Sequence, residues 1–174
     1  MPFAVFFLFL RNFPTLVTGI FHLWHTYITY PKTAIMNTPF TLTHVFDAPI
    51  EKVWHTLTDT RKMREWYFPA LQQFEPVAGF QFLFTDDGSP YQKEWKVTEV
   101  IPGIKLAHTW SYKGYPGSSV VTFQLHAAGD KTSLTLTHSG LETFPADPHF
   151  ARHRFEDGWQ RIIATNLRNS LENQ

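Results

Sequence analysis

The order of alternating and helical patterns along the chain constrains its fold more than any other feature. Between residues 80 and 138, apolar side chains recur at every second position in short segments, and turn residues such as Pro102 and Gly103 separate the segments. Alternation with period two is typical of half-buried strands, and short turns join neighbouring strands in antiparallel order. This part of the chain therefore predicts an antiparallel meander of about six strands.

Other periodic segments lie on both sides of this meander. Residues 40–46 alternate as a first strand, and two helices are predicted to begin at Pro49 and near Arg61. A long helix is predicted to begin at Asp147 and Pro148, and its apolar stripe would cover one face of the sheet. The stripe consists of Phe155, Trp159, Ile162, Ile163, Leu167 and Leu171. The sequence therefore predicts an α+β fold of order β-α-α-β6-α, with a curved antiparallel sheet of about seven strands around the C-terminal helix.

The same periodicities predict which side chains are buried. A residue is predicted to be buried where the periodicity of its strand or helix turns its side chain toward the core. The predicted core residues are Leu57, Trp66, Phe82, Trp110, Phe123, Leu136 and Trp159.

Composition excludes several kinds of site. The 174 residues suit one domain, and a chain of this size can bury a core without a disulfide or a structural metal. Cysteine is absent, which excludes thiol catalysis and cysteine-bound zinc and favours a reducing, cytoplasmic location. Fifteen basic residues balance fifteen acidic ones, so no nucleic-acid partner is expected. No glycine-rich phosphate loop precedes a helix, and no cofactor is predicted.

Residues 1–35 form an apolar N-terminal extension, and the domain itself is predicted to occupy residues 36–174. The apolar run at 3–10 is too short as a helix to cross a bilayer, and no basic residue precedes it as in a signal peptide. Three interpretations stay open: Met36 is the natural initiator, the extension associates with a membrane or directs export, or it packs on the domain. Membrane contact is expected only if the extension is native.

Six groups of short motifs then occur in an order typical of one superfamily. They are FDAPIEKVW at 46–54 with LTD at 57–59 and Trp66, PVAG at 76–79 with Phe82, VTE at 97–99 with Pro102, Leu106 with TW at 109–110, LTLTHSG at 134–140, and GW at 158–159. In this order they resemble the SRPBCC (START-like, helix-grip) superfamily from about residue 40 to residue 172. The branch that they resemble most is that of bacterial homologues of the C-terminal domain of the heat-shock protein 90 ATPase activator.

The resemblance implies a fold but no single activity. It implies a seven-stranded sheet that grips the C-terminal helix around a cavity, in a superfamily that includes lipid carriers, hormone receptors, cyclases and chaperone cofactors. The activator also carries a separate N-terminal chaperone-binding domain, and residues 1–35 are too short and too apolar to form one. A chaperone partner is therefore implied by the resemblance alone.

A ligand cavity is predicted between the sheet and the C-terminal helix, because aromatic side chains alternate toward one face of the sheet. The alternative is a core that these rings fill without a useful void. The predicted cavity residues are Trp66, Phe80, Phe82, Phe84, Trp95, His108, Trp110, Phe123, Leu136, His138, Trp159 and Ile163.

Glu99 and His138 are weak candidates for acid–base catalysis. His138 occupies an inward position among leucines, and Glu99 has the same strand parity as Val97. If both side chains faced the cavity, burial and mutual contact would shift their pKa values, as acid–base catalysis requires. We favour the alternative, in which His138 forms a local hydrogen bond and Glu99 reaches solvent.

His149 and His153 stand four residues apart, a spacing that places two imidazoles on one helical face as in many metal sites. The sequence offers them no obvious third strong ligand, so a solvated pair is expected and no metal is predicted. His22 and His25 of the extension favour a metal even less. Ser139 follows His138 but lacks the third member of a catalytic triad.

These observations favour a binding module that holds a small hydrophobic molecule between the sheet and the C-terminal helix, rather than an enzyme. Two alternatives remain. One is a co-chaperone-like protein-interaction domain, which would need an exposed apolar or charged patch. The other is a cyclase or hydrolase that uses Glu99 and His138 inside the cavity.

Overall fold

The computed structural model describes residues 38–172. The strands are β1 Phe40–Phe46, β2 Leu71–Gln73, β3 Leu83–Phe84, β4 Val97–Ile101, β5 Lys105–Trp110, β6 Ser119–Ala128 and β7 Lys131–Ser139. The helices are α1 Ile50–Thr58, α2 Thr60–Trp66, α3 Arg152–Arg161 and α4 Arg168–Glu172, with a π-helical turn at Ile162–Leu167 and 3-10 turns at Leu141–Thr143 and Pro148–Phe150. The interpretations of residues 1–35, including Met36 as initiator and the histidines at 22 and 25, lie outside the described residues.

Five of these strands form one antiparallel sheet in the order β1-β7-β6-β5-β4. The register places Leu42 opposite Leu136, Leu136 opposite Phe123, and Phe123 opposite Leu106. Cross-strand neighbours on one face lie close enough to pack together. This apolar row therefore runs across four strands and forms the floor on which the C-terminal helix lies.

The other two strands, β2 and β3, form a short ladder of their own. Gly79 N–H donates to the Val97 carbonyl at 2.8 Å, and Phe82 N–H donates to the Trp95 carbonyl at 2.9 Å, so the chain before β3 still pairs with the segment that leads into β4. The predicted α+β order is confirmed, but the sheet is divided. Gly79, where this pairing begins, has a φ of 92°, in the region that favours glycine.

Helices α1 and α2 meet at Asp59, which ends one helix and caps the next. The Asp59 carboxylate accepts a hydrogen bond from Lys62 N–H at 2.9 Å, which satisfies one of the unpaired donors of the first turn. Val53 and Leu57, four positions apart on α1, are both completely buried. Within residues 38–172 no helix has the length and the apolar character needed to cross a membrane.

The C-terminal helix, residues 152–172, combines α3, the π-helical turn and α4. Its buried residues Trp159, Ile163, Leu167 and Leu171 are spaced by four. At 3.6 residues per turn, this spacing would drift by about 120° around a regular helix between the first and the last. A π-helical turn adds one residue to a turn and takes up most of that drift. The π-helical turn thus keeps one apolar stripe against the sheet.

The predicted core is confirmed. Leu57, Trp66, Phe82, Trp110, Phe123, Leu136 and Trp159 are all buried. The start of the long helix was predicted wrongly. The Asp147 carboxylate accepts a hydrogen bond from His149 N–H and caps a separate 3-10 turn, and Ala151 is extended, so α3 begins only at Arg152.

Candidate ligand pocket

Packed aromatic rings fill most of the space between the sheet and the C-terminal helix. The Trp95 and Trp110 rings have centroids 4.1 Å apart, and the Tyr67 ring lies 5.5 Å from Trp95 and 5.9 Å from Trp159. Such aromatic pairs add stabilisation beyond the area that they bury. Tyr67, at the centre of this cluster, was not singled out from the sequence.

Most of the predicted cavity residues belong to this packed core. Phe80 and Phe84 are half-buried and pack against the edge of the core. The completely or almost completely buried members are Trp66, Phe82, Trp95, His108, Phe123, Leu136, His138 and Ile163. Trp110 and Trp159, also buried, are the members of the predicted set that line a pocket.

This pocket, of about 180 Å³, lies at the end of the aromatic core where β5 meets α3. It is lined by Phe68, Trp110, Tyr112, His149, Arg154, Phe155, Gly158, Trp159, Arg161 and Ile162. Larger grooves of about 510, 540 and 250 Å³ lie between β1 and α4, along residues 141–152, and between α2 and the C-terminal helix, and none of them includes a residue of β5. The 180 Å³ pocket is the one of these that adjoins the cluster of packed aromatic rings, through Trp110 and Trp159.

Gly158 leaves part of this pocket open. A Cβ atom built on Gly158 would meet no atom within 4 Å, and its backbone lies in the interior of α3. Glycine in a helix interior costs about 1 kcal/mol relative to alanine. Since no neighbouring atom requires glycine here, its effect on the structure is to widen the pocket between Arg154 and Arg161.

A tyrosine supplies an unused hydrogen-bond donor in the pocket wall. The Tyr112 hydroxyl accepts a hydrogen bond from the Trp110 indole N–H at 2.8 Å, and among residues 38–172 it donates no hydrogen bond of its own. Burial is the main cause that raises the pKa of Tyr112, so the hydroxyl keeps its proton. The wall thus combines aromatic surface with one oriented O–H group.

His138 holds two of the pocket's aromatic residues in place. The Trp159 indole N–H donates to Nδ1 at 2.9 Å, so the proton of the neutral ring lies on Nε2, which donates to the Ser119 hydroxyl at 2.7 Å. Ser119 in turn donates to the Trp110 carbonyl at 3.2 Å. Burial, followed by electrostatic interaction with His108 and Arg152, lowers the pKa of His138 to about 3. Both ring nitrogens are engaged, so His138 presents no free base to the pocket.

His108 is buried in a similar arrangement. Its Nδ1–H donates to the Thr109 carbonyl at 2.8 Å, and its Nε2 accepts from the Tyr67 hydroxyl at 2.9 Å. Burial lowers the pKa of His108 to about 4. This ring therefore also stays neutral and connects the sheet to the residue after α2.

Glu99 lies on the solvent side of the sheet and forms an ion pair with Lys105 at 2.7 Å. The register explains why parity with Val97 did not bring it inward. Val97 faces His108 while Glu99 faces Ala107, so two residues of β4 oppose one residue of β5. Such a bulge changes the side to which the following residues point. The candidate pair of Glu99 and His138 is therefore not assembled in this structure.

Because Glu99 is exposed, Glu99→Gln is expected to change the free energy of unfolding by less than about 1 kcal/mol. Urea denaturation of the two proteins at neutral pH measures the difference. A loss above about 2 kcal/mol would contradict the exposed placement, since only a buried charged partner costs that much.

The predicted pair of His149 and His153 is separated by the break in the helix. The His149 ring stacks on Tyr91 with centroids 3.3 Å apart and contributes to the pocket wall, whereas His153 is exposed on the first turn of α3. No group of three metal-binding side chains occurs within residues 38–172. The four-residue spacing therefore does not place the two imidazoles on one helical face.

The fold of this chain is similar to that of several solved structures. The protein MLL2253 of Mesorhizobium loti is 25% identical with a TM-score of 0.67, and the match covers 79% of this chain and 98% of that one. An Hsp90 activator of Plasmodium falciparum, PFC0360w, is 20% identical with a TM-score of 0.62, covering 77% and 96%. DynU16, a protein of the dynemicin biosynthetic locus, is 22% identical with a TM-score of 0.62, covering 77% and 47%. The latter two likenesses bear on the fold alone.

A family-level comparison gives a more specific result. A search of curated protein sequences finds no significant match. The profile of the family described as Activator of Hsp90 ATPase homolog 1-like protein matches residues 47–172. This range covers all the helices of the described structure and every strand except β1. The chain therefore belongs to the Activator of Hsp90 ATPase homolog 1-like family.

Proposed function

We propose that this protein binds a compact small molecule with an apolar body in the pocket formed by β5, the Pro148–Phe150 turn and α3. The observation that carries the proposal is Gly158. It leaves space in a helix interior at a cost to helix stability, and no packing contact accounts for that cost. A pocket that accepts a ligand accounts for it.

The walls of the pocket suit an apolar ligand. Trp110, Phe155, Trp159 and Ile162 are buried side chains that each contribute a surface to it, and the free Tyr112 proton can orient one acceptor atom. Apolar walls with few polar groups are typical of small-molecule sites.

The size of the pocket sets the class of ligand. Its volume of about 180 Å³ is below the usual range of about 300–1,000 Å³ for such sites. Compounds of one or two rings fit this space better than sterols do.

The catalytic alternative loses support, because Glu99 lies on the solvent side of the sheet and both ring nitrogens of His138 form hydrogen bonds.

A titration with 2-naphthol, a neutral two-ring probe, tests the proposal. We expect binding tighter than about 100 μM by calorimetry, with a negative ΔCp because apolar surface is buried. Gly158→Leu places a side chain in the pocket and should weaken binding at least 10-fold. Gly158→Ala is the matched control. It should raise stability by about 0.5–1 kcal/mol and retain most binding.

Two results would refute the proposal. One is the absence of 2-naphthol binding to the unaltered protein at 100 μM. The other is unchanged binding by a folded Gly158→Leu variant, because that side chain would occupy the gap that an added Cβ finds empty.

A further inference from the structure

We propose that the ligand of this pocket carries an anionic group, such as a carboxylate, which the guanidinium groups of Arg154 and Arg161 recognise. The inference rests on the proposed function and specifies its ligand class. Both arginines are exposed residues of α3 that line the pocket. Guanidinium groups suit carboxylates because their planar array of donors matches the two oxygens.

Neither arginine is paired within the described part of the chain. The ion pairs among residues 38–172 include Arg152 with Glu156 at 2.6 Å on the same helix, but none involves Arg154 or Arg161. No acidic side chain lines the pocket in this part of the chain. The pocket therefore has cationic side chains at its edge that form no ion pair with another residue of the described structure.

The two arginines flank Gly158 on the same side of α3. Residues 154, 158 and 161 follow the spacing i, i+4, i+7, which places them on one side of a helix. The two arginines are two turns apart, or about 10 Å along the axis. The gap left by Gly158 thus opens between the two cations.

Further groups around the pocket favour an anion with a hydrogen-bond acceptor. Tyr112, with 8% of its surface exposed, has a proton without an acceptor in the described residues, so it can donate to a ligand oxygen. Lys93 places its ammonium group 4.8 Å from the centroid of the Phe68 ring, which lines the pocket. Two carboxylates interact electrostatically with groups near the pocket, Asp87 with Lys93 and Asp147 with His149. Neither carboxylate lines the pocket itself.

A matched pair of probes separates this inference from the proposed function. 2-Naphthoate and 2-naphthamide have the same rings and both carry acceptor oxygens, but only the first is charged at neutral pH. We expect 2-naphthoate to bind at least 10-fold more tightly, and its affinity should fall as NaCl is raised because screening weakens exposed charges. In Arg154→Gln/Arg161→Gln the two affinities should become equal within about 3-fold, because 2-naphthoate loses more affinity than 2-naphthamide does.

Controls keep the test specific. Arg168→Gln removes an exposed arginine of α4, outside the pocket lining, and should preserve the preference for the anion. Tyr112→Phe should lower the affinity for both probes, since the oxygen of each can accept the tyrosine proton.

Equal binding of the two probes by the unaltered protein would overturn the anion inference and leave the proposed function standing. If neither probe binds while 2-naphthol does, the anion inference alone fails, and if 2-naphthol also fails to bind, both proposals fail.

Discussion

Replacement of Trp159 by alanine is expected to lower the free energy of unfolding by about 5 kcal/mol. Removal of a large buried aromatic side chain costs about 3–5 kcal/mol because a cavity remains. Trp159 is 1% exposed, and its N–H also donates to His138 Nδ1 at 2.9 Å. Without that donor, a buried acceptor is left unpaired at a further cost of about 1 kcal/mol or more. Urea denaturation followed by far-ultraviolet circular dichroism measures the loss.

Two further variants keep this expectation testable if the alanine variant does not fold. Trp159→Phe retains a ring but removes the donor, so it should lose about 1–3 kcal/mol. Trp54→Ala, at a half-buried tryptophan on α1, should cost less than Trp159→Ala. An unchanged denaturation midpoint in Trp159→Ala would show that the residue does not lie in the core.

Acid is expected to destabilise the protein through two buried histidines. The pKa of His108 is lowered from 6.5 to about 4 and that of His138 from 6.5 to about 3, in both cases chiefly by burial. Below pH 6.5 the unfolded chain binds protons that the folded protein excludes, so stability is full above that pH and falls toward the folded pKa values. Each ring contributes up to about 1.4 kcal/mol per pH unit. Together they should lower stability by about 4 kcal/mol at pH 5.

Denaturation at pH 7.5 and pH 5 measures this difference. His138→Gln keeps a side-chain N–H that can reach Ser119 and removes the titration, so its loss between the two pH values should be about half as large. His153→Gln, at an exposed position on α3, is the control for removal of a histidine. If the His138 variant loses as much stability as the unaltered protein, the ring does not stay neutral in the folded state.

The sequence predicted the inward faces of the strands well where pairing is regular. Period-two alternation placed Leu106, His108 and Trp110 on one face of β5, and all three are buried. It failed for Glu99, because a bulge in β4 depends on the register with a partner strand and leaves no mark in local alternation. Helical periodicity likewise gave the stripe of the C-terminal helix but not its starting residue, because extended Ala151 interrupts the helix after a capped 3-10 turn.

The pocket could be predicted only in part. Trp110 and Trp159 were expected to line it, but alternation shows which way a ring points and not whether neighbouring rings leave a void. Tyr67 enters the core from the residue after α2, where neither helical nor strand periodicity applies. Arg154 and Arg161 lie outside the apolar stripe of the helix, and their place beside a pocket depends on how that helix is rotated on the sheet.

The number of residues in the π-helical turn at Ile162–Leu167 sets how α3 is rotated on the sheet relative to α4. A descendant of this sequence that lost one residue there could form a regular helix, with α3 turned by about 100° relative to α4. Arg154 and Gly158 would then leave the pocket together, and other side chains of α3 would take their places. Deletions and insertions at this single turn would thus change which side chains of α3 line the pocket without any substitution in the sheet.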